Sequence, residues 1–173
     1  MATTAAGTPY VESSDLVANY PGVSLALANH IDASTGKVLQ VVQGTNSTSV
    51  STTSTSFVTT NLTATITPTR TNSRILVTVC TNLENTTAAG GSSLTLFRGT
   101  VAGTNLGNAS SGFGYLIPAS AGITALQTIT FLDSPNTVSA QVYTLGMRSG
   151  STNTTISSAG NATSVITLLE IGA

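Results

Sequence analysis

Hydroxyl-bearing and apolar side chains alternate in short runs along most of this chain. In the run Leu62–Thr67, Leu, Ala and Ile take every second position and Thr takes the others. Successive side chains of a β-strand point to opposite faces, so this alternation predicts strands with one face in a core and one facing outward. β-Branched Thr, Val and Ile also favour an extended backbone. The pattern therefore predicts that most of the chain is β structure.

Ionisable side chains are too scarce for most chemistry. Only 6% of the residues are charged, and the chain has one His and one Cys. Acid–base, nucleophilic and metal-assisted catalysis gather several His, Cys, Asp, Glu or Lys side chains in one place. We therefore expect a protein that binds or assembles and that is not an enzyme, with no catalytic residues, no metal site and no cofactor.

Charge and hydropathy also argue against two classes of partner. The net charge is −1 and the five basic residues are scattered along the sequence, whereas nucleic-acid phosphates require clustered Lys and Arg. No stretch reaches the roughly 20 apolar residues that a membrane-spanning helix needs. We expect neither nucleic-acid binding nor membrane insertion.

The six carboxylates offer little for hydrolysis, which in glycosidases usually takes two of them. We expect Asp133 to begin a turn, within Asp133-Ser134-Pro135-Asn136, and Glu170 to pair with an Arg inside the last strand. The lone Cys80 is expected to be a small buried hydrophobe.

One helix-like segment precedes the β region. Pro21 suits the first turn of a helix and Gly36 suits a left-handed cap, so we predict a helix from Pro21 to Ile31 or Asp32. Its apolar residues recur every three or four positions and form one stripe: Leu16, Tyr20, Val23, Leu27 and Ile31. So short a helix is unstable alone in water, so the stripe must pack on something. The candidates are its own domain, the same helix in sister subunits, or a docking partner.

From Lys37 onward the sequence predicts about eight to ten strands at short spacing with no helices between them. The strongest run, Arg74–Leu83, places Ile75, Val77, Val79 and Leu83 on one face. The polar stretch Gly44–Ser56 is either a weak edge strand or a loop. Such a series indicates an antiparallel sandwich or barrel.

The closing strand is apolar on both faces. Val165, Leu169 and Ile171 point one way, and Ile166 and Leu168 point the other way. A strand that is apolar on both faces is usually buried on both. In a two-sheet sandwich one face belongs to the core, so the other face needs a second cover. A neighbouring subunit is the simplest candidate.

The region 36–173 resembles the C-terminal heads of bacteriophage virion fibre and tail proteins. The similarity lies in strand patterns such as Gly36–Val42, Leu94–Gly99 and Ser164–Ile171, in Thr65-Ile66-Thr67-Pro68 followed by Ser73–Val77, and in Phe131–Pro135. The segment Asp15–Asp32 is similar to the short N-terminal segment of many such proteins. These heads are similar to the trimeric jelly rolls of the tumour necrosis factor and complement globular-head class.

The resemblance implies an all-β fold, an antiparallel jelly-roll sandwich with a short N-terminal helix. Residues 1–35 would be an attachment segment that binds other virion proteins, and residues 36–173 would be the head. The chain would be a homotrimer, made in the host cytoplasm and carried on the virion. Its interface would use the closing strand, with Val165, Ile166, Leu168, Leu169 and Ile171.

Two roles follow from the resemblance. The leading one is a tail-fibre or receptor-binding knob that contacts a host surface glycan or protein through the loops Asn85–Gly91, Thr100–Gly112 and Gly150–Gly160. Tyr115 or Tyr143 could stack on a sugar ring there. The alternative is a capsid decoration protein that stabilises the capsid lattice. A cellular adhesin or cytokine-like ligand is disfavoured because no secretion signal is visible.

Overall fold

The structure is a computed structural model that describes residues 2–3, 9–10, 20–33, 36–88, 90–117, 119–151 and 155–172. In these ranges the elements are β1 (Ala2–Thr3), β2 (Pro9–Tyr10), α1 (Tyr20–Ala33), β3 (Val38–Asn46), β4 (Val50–Thr52), β5 (Val58–Ile66), β6 (Arg74–Asn85), β7 (Ser92–Arg98), β8 (Thr104–Asn105), β9 (Gly114–Leu116), β10 (Ile123–Asp133), β11 (Gln141–Ser149), β12 (Thr155–Ser157), a 3-10 turn (Ala159–Asn161) and β13 (Ser164–Ile171).

Two antiparallel sheets pack face to face from residue 38 onward. Sheet I has six strands, with β6 at its centre. β10 pairs with one side of β6, and β13 and β12 pair with consecutive parts of its other side. β3 then pairs with β13, and β4 pairs with β12. Sheet II has five strands, with β11 between β5 and β7 and with β8 and β9 on the far side of β7. Successive strands cross from one sheet to the other between β4 and β7. The predicted all-β, jelly-roll-like sandwich is confirmed.

The core forms where the inner faces of the two sheets meet. Ile75, Val77, Val79 and Leu83 of β6 are fully buried, as their alternation predicts. They pack in one cluster with residues of sheet II such as Leu62, Ile66, Leu96, Leu145 and Met147. Alternate residues of β6 therefore belong to the core, and the ones between them face away from it.

The sandwich has two distinguishable ends. At the entry end, the Gly36 amide donates to the Gly172 carbonyl at 2.6 Å, so the described head begins and finishes side by side. β6 starts at this end, since Ile171 pairs with Arg74. At the far end, β6 finishes at Asn85, and Ser149 pairs with Ser92.

The far end of the core is built from small hydroxyl side chains. Ser164 Oγ lies 2.7 Å from Thr81 Oγ1 and 2.8 Å from Ser158 Oγ. Ser92 Oγ lies 2.6 Å from Thr155 Oγ1 and accepts from Asn85 Nδ2 at 3.0 Å. All six residues are buried. Buried polar groups are tolerated when they are paired in this way, which explains how a chain so rich in Ser and Thr closes a core.

An ion pair joins the two sheets at the entry end. Asp133 of sheet I lies 2.9 Å from Arg98 Nε of sheet II and accepts a 2.7 Å hydrogen bond from the Tyr143 hydroxyl, also of sheet II. Burial and then this bond to Asp133 raise the pKa of Tyr143 far above its ordinary value. Asp133 is the last residue of β10, directly before the predicted turn, and its side chain is buried. The turn follows it, and Asn136 takes the left-handed conformation there with φ of 52°.

Glu170 is also buried at the entry end, and the prediction of an Arg partner is wrong. Its carboxylate accepts from Gln40 Nε2 at 2.6 Å, and from the Thr69 amide and hydroxyl at 2.7 and 2.9 Å. Burial alone would raise the pKa of Glu170, but the hydrogen bonds from Gln40 and Thr69 help to outweigh it, and the pKa is lowered. The carboxylate thus fastens the loop between β5 and β6 to the first and last strands of the head.

The structure changes several predictions made for the helix and the residues after it. Helix α1 begins at Tyr20 and ends at Ala33, slightly beyond both predicted limits. Val23 in its stripe is buried and Leu27 is exposed. Leu16 lies outside the described residues, and no side chain is described for Tyr20 or Ile31. Gly36 has φ of 79°, the left-handed conformation predicted for it.

The polar stretch predicted as an edge strand or a loop divides into both. β3 continues to Asn46, and β4 forms a short strand at Val50–Thr52 after a turn. Asn46 stabilises that turn by donating to the Thr48 carbonyl at 2.8 Å. Among the described strands β4 pairs only with β12, which fits the weak edge character of its sequence.

We predict that Asp133→Ala destabilises the head by about 2–3 kcal/mol, because it leaves the buried Tyr143 hydroxyl and the Arg98 guanidinium without their acceptor. Tyr143→Phe removes one hydrogen bond and should cost only about 1 kcal/mol. Urea unfolding followed by circular dichroism measures both. Glu84→Ala, on the outer face of β6, is the matched control with a change within about 0.5 kcal/mol. An unfolding midpoint of Asp133→Ala equal to that of the control would contradict a stabilising role for the contacts of Asp133 with Arg98 and Tyr143.

We also predict that Glu170 contributes to acid sensitivity. Because its folded pKa lies below the ordinary 4.5, its contribution to stability is full above that value and is lost as the pH falls through the folded pKa. Urea midpoints measured from pH 7 down to about pH 3 should therefore fall less steeply for Glu170→Gln than for the native chain. Parallel curves for the two proteins would refute this.

Candidate functional site

The two apolar faces of the closing strand β13 differ in burial. Ile166 and Leu168 are fully buried between the sheets. Val165, Leu169 and Ile171 lie on the outer face of sheet I and are half-buried. Ile166 and Leu168 therefore have no surface to offer another molecule, and the predicted interface is reduced to the three outer residues.

Strand register aligns Leu169 with three other apolar side chains on the outer face. Leu169 pairs with Val41 of β3 on one side and with Leu76 of β6 on the other, and Leu76 pairs with Leu132 of β10. Residues opposite each other on neighbouring strands lie on the same face, so these four form an unbroken line across the sheet, which we call the apolar row. Val41 is 59% exposed and Leu132 is 44% exposed.

The rest of the outer face is uncharged and rich in hydroxyls. The next position along the strands aligns Gln43, Thr167, Thr78 and Thr130. The one after it aligns Thr45, Val165, Cys80 and Thr128. On β6 the charged residues Arg74 and Glu84 lie at the two limits of the face. A smooth and nearly neutral surface results, apolar towards the entry end.

Cys80 lies near the middle of this face. It pairs in register with Val165 and Thr128, and its side chain is a half-buried free thiol. The prediction of a small buried residue is therefore wrong, because the side chain is only partly buried. The alternation of β6 places it on the opposite side from Val77 and Val79.

Sequence reasoning did not single out Val41, Leu76 and Leu132 as parts of a site. Each looked like the outward residue of its own strand, and only the pairing register shows that the three join with Leu169. The signal available in the sequence was the apolar character of both faces in the runs Ile75–Val79 and Ile129–Leu132.

The loops predicted as distal contacts do not all lie together. Asn85–Gly91 and the described part of Gly150–Gly160 lie at the far end, where the Gly150 amide donates to the Gly91 carbonyl at 2.7 Å. The turn that starts at Thr100 lies at the entry end, because the Gly99 amide donates to Val142 beside the start of β11. Tyr143 is fully buried, so it cannot stack on a sugar, whereas Tyr115 is 46% exposed at the far end.

The crevice that the described residues form beside β10 is small. A crevice of about 40 Å³ lies between β10 and the β7–β9 edge, next to Phe113 and Ile129. Ligand pockets for small molecules are usually about 300–1,000 Å³. In the described ranges no three His, Cys, Asp or Glu side chains come close enough to hold a metal ion, and no helix is long and apolar enough to cross a membrane.

Two comparisons with known proteins found no match. No protein-family model matches the chain, and no curated protein matches it. Function is therefore inferred from the fold, from the outer face of sheet I and from the sequence resemblance described above.

Proposed function

We propose that this chain is a structural protein of a bacteriophage virion, a homotrimer that carries its jelly-roll-like head outward as a tail-fibre or receptor-binding knob. The observation that supports this most directly is the apolar row on the outer face of sheet I, Val41, Leu169, Leu76 and Leu132. The resemblance of the strand patterns to phage fibre heads supplies the class of protein.

A copy of the same chain is the cover that best suits the outer face. The face carries no charge between Arg74 and Glu84, so it offers nothing to an acidic or basic partner. The four adjacent side chains of the apolar row make a larger apolar area than an isolated surface leucine. A chain with a net charge of −1 also has little electrostatic repulsion to keep copies apart.

A second apolar surface makes a closed ring possible. Phe113 is exposed beside β10 and packs edge to face on Phe131 with ring centroids 5.3 Å apart. It belongs to the β9–β10 edge, not to the outer face of sheet I. Contact between two different surfaces generates a ring when the rotation closes, and three copies are the number that the resemblance implies.

The two ends of the head suit a display role. The described head begins at Gly36 at the entry end, so residues 1–35 reach the particle from that side. The far end, with Tyr115 and the loops near Asn85 and Gly150, is then the outermost surface. The decoration alternative uses the same trimer with a different place on the particle.

We predict that Leu169→Glu turns the trimer into monomers. A carboxylate in the middle of the apolar row would have to lose its water when two subunits meet, which is costly without a partner charge. Light scattering should give about three times the chain mass of 17.3 kDa for the native protein and about one chain mass for the variant. Thr65→Glu, on an exposed position of sheet II, is the control and should remain trimeric.

The native Cys80 supplies a second measurement for the same proposal. In the trimer the thiol should react slowly with a maleimide, and in Leu169→Glu it should react at least about tenfold faster, since covering controls thiol access. A native protein that is monomeric at micromolar concentration, with a readily labelled Cys80, would refute the assembly.

We further predict that deleting residues 1–32 leaves a folded head that no longer joins particles. Circular dichroism checks the fold and gel analysis of purified particles checks incorporation. Retained incorporation would contradict the attachment role. Electron microscopy of labelled particles separates the two positions, since a fibre head gives a few copies at the tail and a decoration protein gives many on the capsid.

A further inference from the structure

We propose that the Leu126 side chain of each head inserts into the crevice beside β10 of the next head in the ring. The proposal rests on the homotrimer proposed above and names the contact that joins its subunits. The crevice is lined on one side by Gln127, Thr128 and Ile129 of β10, and Leu126 directly precedes them on the same strand. The inserting side chain and the crevice therefore lie at the same level of the head.

The crevice is an opening into the apolar core. Its lining includes Leu83, Leu94 and Ile129, which are buried members of the core cluster. Phe113 and Gly114 also line it, and both are exposed. A Cβ added to Gly114 would meet no atom within 4 Å, so the crevice is open to the outside at this point. An apolar side chain that filled it would leave water and gain dispersion contacts with the core.

The flank of the sandwich that carries β10 is open, whereas the opposite flank is closed. On the closed flank, Gln40 Nε2 donates to the Thr67 carbonyl at 2.6 Å and Asn46 Nδ2 donates to the Thr60 carbonyl at 3.2 Å, so β3 is fastened to the region of β5. β10 pairs only with β6 among the described strands. Its run Ile123–Leu132 has no charge and no proline, the devices that usually protect an open edge. The β10 flank is therefore the one that needs a cover.

Leu126 suits the crevice by exposure, direction and size. At 66% exposed, it is the most exposed large apolar side chain among the described residues. It pairs with Asn82 on the outer face of sheet I, so it points away from sheet II and cannot fill the crevice of its own head. The crevice, about 40 Å³, suits the branched end of one aliphatic side chain and is far smaller than a pocket for a drug-sized ligand.

The position of the two surfaces favours a small closed ring of identical heads. Leu126 projects from the outer face of sheet I, and the crevice opens at the edge beside the same strand. Contact between two such different surfaces is head to tail, and it closes when the rotation divides a full turn. Because both surfaces adjoin β10, the axis of the ring passes near this strand. The crevice lining has no charged side chain, so closing the ring there buries no charge.

The first test joins the two surfaces by a disulfide. The full chain with Cys80→Ser carries Leu126→Cys and Gly114→Cys and is oxidised mildly with diamide. The bond cannot form within one head, because the two residues lie on different sheets, about 10 Å apart, and Leu126 points outward. We expect linked dimers and trimers, and nothing larger, on a non-reducing denaturing gel. Val138→Cys with Gly114→Cys, which uses an exposed residue outside the contact, is the control and should stay unlinked.

The second test fills the crevice from within. Gly114 lies outside the left-handed region and has open space at its Cβ, so Gly114→Val should fold normally. We expect Gly114→Val and Leu126→Ala each to weaken trimer association at least about tenfold, measured by light scattering on dilution. The double variant should associate more tightly than Gly114→Val alone, because the shortened side chain no longer meets a filled crevice. Val138→Ala should leave association unchanged. Urea midpoints equal to the native one exclude unfolding, and should Gly114→Val unfold, the disulfide test decides.

Three results would overturn the contact while leaving the trimer in place. They are a native chain that is trimeric but gives no linked species with Leu126→Cys and Gly114→Cys, linkage that stops at dimers, and association unaffected by both Leu126→Ala and Gly114→Val. A native chain that is monomeric at micromolar concentration refutes the assembly itself, and this contact with it. Light scattering of the native chain therefore separates the two failures.

Discussion

The pairing of β6 on both edges is the constraint on which the rest of the molecule depends. β10 pairs along the strand from Ile75 to Asn85 on one edge, and β13 and β12 share the other edge between them. With both neighbours fixed, a slip of one residue would move Val77 and Val79 out of the core and bring Leu76 and Thr78 into it. The same register that fills the core thus aligns Leu76 with Leu132 and Leu169 on the opposite side. Core and outer face are two consequences of one pairing.

Two buried carboxylates of the head form internal ties. Asp133 joins the sheets through Arg98 and Tyr143, and Glu170 fastens the loop before β6 through Thr69 and Gln40. Both carboxylates lie at the entry end, while the far end is closed by hydroxyl pairs such as Thr81 with Ser164. The two ends of one sandwich therefore use different chemistry. What remains outside is a surface of Thr, Ser and apolar side chains, which is suited to contact with surfaces that are also uncharged.

Much of this architecture could be predicted from alternation alone, because a period of two records which side of a strand is buried. The inner residues of β6 and the inner residues of β10 followed directly from it. Burial of Asp133 and Glu170 could not be predicted, since each lies at a strand end where its partners come from distant segments: Arg98 from the other sheet, and Gln40 from the first strand. The apolar row was hidden for the same reason, since Val41 and Leu132 are 91 positions apart and only pairing brings them into one line.

Tyr115 and Tyr143 also show that the sequence alone does not predict which tyrosine is exposed. Both lie in short apolar runs near Gly and Thr, and composition does not distinguish them. Their sheet positions do, because Tyr143 points inward from the central strand β11 and Tyr115 points outward from the edge strand β9. A role at the surface is open to one and closed to the other.

The hydrogen bonds between Gly36 and Gly172, and between Gly172 and Lys37, bring the first and last described residues of the head together on one side. A reporter domain fused after residue 173 would therefore crowd the tether that precedes the head. The same reporter inserted in the turn around Thr86–Thr87 would project from the opposite pole, clear of it. An insertion in that loop is therefore farther from the tether than a fusion at the carboxyl terminus.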